Sequence, residues 1–216
     1  MSSTGLDRRI QRLVAEEGGR FSTELGLDLD ARPVDADRWF LAATLFGAPI
    51  RSSTAMRTWR VLAAAGVRTI ADAGRRSWDE LVQLLDAGGY GRYDFRTATR
   101  LHELAERVAE DHGGSITTIA QEPDPVGVAA KLRALPGWGP TTTAIFLREL
   151  RGVWPGVEVS LDQRAVDAAR ALRIPLGRRE DRYWDELADR AAAAGVDPRD
   201  VEAALIRRAL RRRRRG

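Results

Sequence analysis

The residues best suited to chemistry lie in one ten-residue stretch, LPGWGPTTTA, from Leu135 to Ala144. Gly137 and Gly139 sit between Pro136 and Pro140, and three threonines follow with no lysine among them. Glycines reach φ > 0 and carry no Cβ, so neighbouring backbone N–H groups can face a single anionic oxygen. A helix starting just beyond would aim its positive end at the same charge, and Thr141 and Thr142 could add hydroxyl donors. Three readings compete. A nucleotide P-loop needs a strand before it and a Gly-Lys-Ser/Thr ending; here a helical pattern precedes the loop and the lysine is missing, so that reading fails. A plain turn between packed helices and a helix-hairpin-helix gripping a nucleic-acid phosphate both fit, and pattern alone favours the plain turn.

The rest of the composition narrows the chemistry. The 216 residues contain no cysteine. That excludes disulfides, thiolate zinc sites, cysteine-ligated iron–sulfur clusters and cysteine nucleophiles. His102 and His112 fall in the charged stretch LHELAERVAEDHGG and read as solvated helix residues, so no metal site is expected. Lys131 is the only lysine among 35 basic residues. The net charge of +4 is concentrated: RRALRRRRRG at 207–216 holds seven arginines, leaving the remainder at −3. Such a block attracts any polyanion, DNA or RNA, and equally reads as a disordered solubilising tail. No apolar run approaches the ~18 residues of a membrane span, and MSSTGLDRRI lacks the apolar centre of a signal peptide.

The elements that must position these residues read as helix after helix, with no clean strand alternation. Asp35 and Asp37 are candidate caps for RWFLAATLFG, and Ser52 or Ser53 for the segment that stops at Gly66. Ser77 with Glu80 forms a capping-box pattern before LVQLLDAGG. A long amphipathic helix follows over RTATRLHELAERVAEDHGG, then a helix with Pro125 at its first position, then the helix after the glycine turn. Further helices are expected at LDQRAVDAARALR, RYWDELADRAAAAG and PRDVEAALIRRALR. The broken segment RGVWPGVEVSLD separates these last three and leads to Asp162. The expected fold is all-α and two-lobed. Residues 36–152 form a central helical lobe with the hairpin at 131–150. Residues 1–35 and 153–206 form a second lobe, and 207–216 a basic tail.

Apolar-Pro-Gly-x-Gly-x-x-Thr-Ala, followed after a Gly/Pro-rich loop by an aspartate 23 residues past Gly139, resembles the helix-hairpin-helix GPD superfamily of DNA glycosylases, typified by endonuclease III. The upstream order agrees: WFLAATLFGAPIRSSTAMRTW resembles the family's first barrel helix and its wedge loop. LVQLLDAGGYGRYDFRTATRLHELAERVAEDHGG resembles its next helix pair. The likeness spans about residues 36–173.

The resemblance implies a base-excision repair glycosylase acting on duplex DNA through backbone phosphates. Pro136, Gly137, Trp138, Gly139, Thr141, Thr142 and Arg51 would contact DNA, although Trp138 also suits packing beneath the hairpin. Asp162 would be the catalytic carboxylate, stabilising an oxocarbenium-like sugar and orienting water, while the target base leaves the stack. The same aspartate suits the N-cap of QRAVDAARAL, and the two roles are compatible. A gapless match to the endonuclease pattern sets Ser160 at the catalytic position; a match to the alkylation-repair glycosylases sets Asp162 there. Thr141 stands where strand-nicking members carry their Schiff-base lysine, so the expected activity is monofunctional, without lyase chemistry. No cofactor is expected, and the resemblance allows a monovalent cation at the hairpin. Ala48 and Arg51 would wedge the duplex or line the pocket, Tyr90 and Tyr93 would stack on a flipped base, and Trp39 and Trp59 would be core. The expected protein is a monomer of the cytoplasm, or of the nucleoid in a bacterium. Two rivals remain: a non-catalytic DNA-binding module on this scaffold, and a helical interaction protein whose tail binds RNA or an acidic partner.

Overall fold

The computed structural model describes residues 4–122 and 124–212. Among them twelve α-helices follow one another and no strand occurs. The first six are α1 (Gly5–Glu17), α2 (Phe21–Glu24), α3 (Val34–Phe46), α4 (Ser52–Ala64), α5 (Ile70–Gly74) and α6 (Trp78–Gly88). The others are α7 (Asp94–His112), α8 (Pro125–Arg133), α9 (Pro140–Arg148), α10 (Gln163–Ala171), α11 (Tyr183–Ala193) and α12 (Pro198–Arg212). No described helix is long and apolar enough to cross a membrane. The chain divides into two compact units, Leu25–Glu158 and Met1–Glu24 with Val159–Gly216. The boundaries fall at 24/25 and 158/159.

In the central unit, local signals set most helix ends. Ser77 Oγ accepts from the Glu80 N–H while Glu80 reaches back to the Ser77 N–H, completing the capping box of α6. Asp124 caps α8, with Pro125 at its first turn. Gly66 and Gly89, both at positive φ, follow the ends of α4 and α6. Asp35 and Asp37 do something other than cap. α3 begins at Val34, so both lie inside its first turn. Asp35, fully buried, pairs with Arg32 and Arg38 at 2.7 Å each. Asp37 instead accepts from Ser115 Oγ (2.8 Å) and the Ile116 N–H (2.9 Å), tying α3 to the turn after α7. Burial, the largest influence on Asp37, raises its pKa against these hydrogen bonds. The core is strongly aromatic: Phe40, Trp138, Phe146 and Trp154 are buried, and their rings form a continuous stacked and edge-to-face chain, while buried Trp39 donates its Nε1–H to the Phe146 carbonyl at 3.1 Å. Trp39 and Trp59 are core residues, as expected.

In the other unit, α1 opens with a capping box between Thr4 and Asp7. Its apolar face (Ile10, Leu13) packs into a core with Val166 and Ala169 of α10, Leu187 of α11, and Val201 and Leu205 of α12. The arginine tail is not a free tail through Arg212, because α12 continues to that residue. Arg207 lies 3.9 Å over the Phe21 ring and pairs with Glu24 at 2.7 Å. Arg208 and Arg211 reach Glu17 at 3.2 and 2.7 Å, and the Glu17 side chain is only 1% exposed. A carboxylate buried that far needs cationic partners, and the tail supplies two. Residues 213–216 lie outside the described residues.

Candidate functional site

The hairpin is built from α8, a six-residue turn and α9. The Leu135 N–H donates to the Leu132 carbonyl (3.2 Å) and the Trp138 N–H to the Leu135 carbonyl (3.1 Å), which closes the turn. Gly137 has φ +75°, a conformation that other residues adopt only with strain. A Cβ there would also collide with Cδ and Nε of Arg100, so the Arg100 side chain lies against the hairpin tip. Gly139 differs: φ is −89° and its Cβ direction is open. It is the N-cap of α9 without a side-chain cap, and the first helical bond runs from the Thr143 N–H to its carbonyl (3.1 Å). The backbone N–H groups of Gly137, Gly139, Thr141 and Thr142 therefore donate to no group among the described residues. Gly137, Gly139, Pro140 and Thr141 form an exposed rim around them, at the positive end of α9.

Two expected DNA contacts in this stretch face inward instead. Trp138 is 3% exposed and stacks on Phe40 with centroids 4.2 Å apart. Its Nε1–H donates to Thr44 Oγ1 at 3.2 Å, so the indole anchors the hairpin from below. Thr142 is buried, and its hydroxyl lies so close to Gly47 that a Cβ there would collide with it. Only Thr141 offers an exposed hydroxyl. Arg51 is exposed at the N-cap of α4 and Pro136 is half-buried.

The proposed base-stacking pair divides in the same way. Tyr90 is 1% exposed and its hydroxyl donates to the Leu45 carbonyl at 2.5 Å, so it is a core residue; burial pushes its pKa well above the usual tyrosine value. Tyr93 is half-buried, with the Arg92 and Arg96 guanidiniums 5.9 and 5.4 Å from its ring centroid. Arg100 was not apparent from the sequence. It lies 37 residues from Gly137, and only the packing of α7 brings them together.

Asp162 belongs to the other compact unit. It is the N-cap of α10, and its Oδ1 accepts from the Arg164 N–H at 2.9 Å. The Arg164 side chain grips the same carboxylate with two more donors, Nε to Oδ1 at 2.9 Å and Nη2 to Oδ2 at 2.6 Å. That hydrogen bonding raises the pKa of Arg164. The Asp162 side chain is 20% exposed, and its backbone N–H donates to Oε1 of buried Glu202 at 3.2 Å. Buried Leu161 anchors the segment, while Ser160, two residues earlier, is exposed. Asp162 is thus an anionic, partly exposed carboxylate with a fixed orientation, and Arg164 is the partner the sequence reading missed. The Asp-x-Arg spacing that opens α10 was the signal for it.

The chain is thus all-α among its described residues, in two compact units, one of which carries an exposed glycine-turn hairpin. The fold is similar to that of the crystal structure of H. pylori 3-methyladenine DNA glycosylase (MagIII) bound to 1,N6-ethenoadenine. The TM-score is 0.54 at 10% sequence identity, over 96% of this chain and 97% of that one. No protein-family model and no curated protein sequence matches this chain.

Proposed function

We propose that this protein is a DNA base-excision repair glycosylase that hydrolyses the N-glycosidic bond of a damaged base in duplex DNA. The observation that carries the reading is the hairpin: unused backbone N–H groups of Gly137, Gly139 and Thr141 on an exposed rim, at a helix N-terminus, in a fold shared with a DNA glycosylase. Such a rim holds a backbone phosphate without reading sequence, which suits an enzyme that must meet its lesion anywhere. Arg100 adds a cation beside Gly137. Asp162 is the catalytic carboxylate. Held in one orientation by the α10 cap and by Arg164, it stabilises the developing positive charge at the sugar and orients the attacking water. Thr141 provides no amine, and Lys131, the only lysine, is paired with Glu122 at 2.6 Å; base release therefore occurs without strand nicking. The protein acts as a monomer on double-stranded DNA, in the cytoplasm or nucleoid.

One observation favours the non-catalytic rival. Both Asp162 oxygens are already engaged by Arg164, as a purely structural cap would be. A panel of lesion duplexes containing 3-methyladenine, 1,N6-ethenoadenine, uracil or an oxidised base separates the two readings. Glycosylase action leaves abasic sites in at least one duplex, cleaved only after alkali. Duplex binding with no abasic site on any member of the panel supports the binding module.

A further inference from the structure

The arginines of α1 make a second cationic feature that the hairpin reading does not use. A cleft of about 520 Å³ is lined by Arg8, Arg9, Arg12 and Arg208, with Leu13 and Leu172 as apolar lining and Glu16 as its one acid. The charges are unequally compensated. Arg8 is exposed and has no ion pair among the described residues. Arg9 donates to the carbonyls of Leu172 (3.0 Å) and Arg173 (3.1 Å), which fixes the guanidinium and leaves its charge intact. Arg12 pairs with Glu16 at 3.1 Å, both well exposed, a contact that solvent weakens. Arg208 shares Glu17 with Arg211, two cations on one carboxylate. The cleft therefore carries a net positive charge, presented by planar donors suited to phosphate oxygens.

The lining also tells which phosphate. It has no aromatic ring to stack a base and no amide or hydroxyl side chain to read one; its uncharged part is aliphatic. Arg8 and Arg12, one turn apart on α1, present their cations in a row along the helix. A free nucleotide would find nothing there for its base, whereas a sugar-phosphate backbone needs only cations and an apolar surface. We infer that this cleft is a second, sequence-independent site for backbone phosphates of duplex DNA, separate from the hairpin. The inference rests on the DNA-binding part of the proposed function and not on the chemistry of Asp162.

The test uses the full-length protein and an undamaged duplex, with dissociation constants measured across a series of salt concentrations. Arg8→Gln with Arg12→Gln removes two exposed charges and leaves the structural contacts of Arg9 and Arg208 in place. The slope of log K against log salt should fall by about 1.8, at 0.9 per phosphate contact, and binding near 0.1 M salt should weaken about ten- to a hundredfold. A Gly137→Ala variant is measured in parallel. An unchanged slope in the double variant, with weaker binding by Gly137→Ala, overturns the second site and leaves the DNA reading standing. Unchanged binding in both variants defeats the DNA reading as well. A loss confined to inorganic phosphate or a mononucleotide, with duplex binding intact, overturns the inference in favour of a small phosphate ligand.

Discussion

The starts of α9 and α10 present the same element treated in opposite ways. At α9 the N-cap is Gly139, which has no side chain to offer, so the first N–H groups stay available on an exposed rim. At α10 the N-cap is Asp162, whose carboxylate takes the Arg164 N–H itself and is gripped by the Arg164 side chain as well. A helix N-terminus attracts an anion only where the chain has not already supplied one. The α9 start thus leaves its N–H groups without an anion from the chain, whereas the α10 start displays a carboxylate of its own. That division suits a phosphate grip at the first and stabilisation of a cation at the second.

Breaking the hairpin's support should have the largest effect. Trp138→Ala removes a buried indole, its stack on Phe40 and its bond to Thr44, and should cost about 3–5 kcal/mol in denaturant unfolding. Gly137→Ala comes next, because a Cβ at φ +75° is strained and meets Arg100. A loss of about 1–3 kcal/mol is expected by the same measurement, with duplex affinity down about tenfold. Arg164→Gln sharpens the other side of the comparison. It keeps the backbone cap but removes the side-chain grip that fixes the Asp162 carboxylate, so single-turnover base release should fall about threefold, at a stability cost of about 0.5 kcal/mol. Gly139→Ala is the smallest. Its backbone suits any residue and its Cβ direction is open, so unfolding should shift by less than about 0.5 kcal/mol. An equal effect of alanine at 137 and 139 would mean that the hairpin glycines do not differ as described.

The sequence made legible what local rules determine. The Ser77 box, Pro125 at a helix start, Gly66 and Gly89 after helix ends, and the all-α architecture all follow from neighbours within a few residues. The Thr4–Asp7 box that opens α1 is equally local. What sequence could not supply depends on distant packing. Tyr90 is buried because Leu45 offers its carbonyl across the core, and Asp37 caps nothing because Ser115 reaches it from 78 residues away. The arginine block looked like a tail because nothing nearby in sequence pairs with it; its acids, Glu17 and Glu24, sit at the opposite end of the chain. In the candidate site, the glycine turn and the aspartate were readable as pattern. The inward facing of Trp138 and Thr142, and the Arg100 contact, were not.

The central claim is that Asp162 performs the chemistry while the hairpin only holds DNA. The direct test is single-turnover base release by Asp162→Asn on a lesion duplex that the unaltered protein processes, with affinity for the same duplex measured alongside. Asparagine keeps an oxygen for the α10 cap and removes the charge. We expect base release to fall about 100- to 1000-fold with duplex affinity within about twofold of the unaltered protein. Base release at an undiminished rate would contradict the assignment.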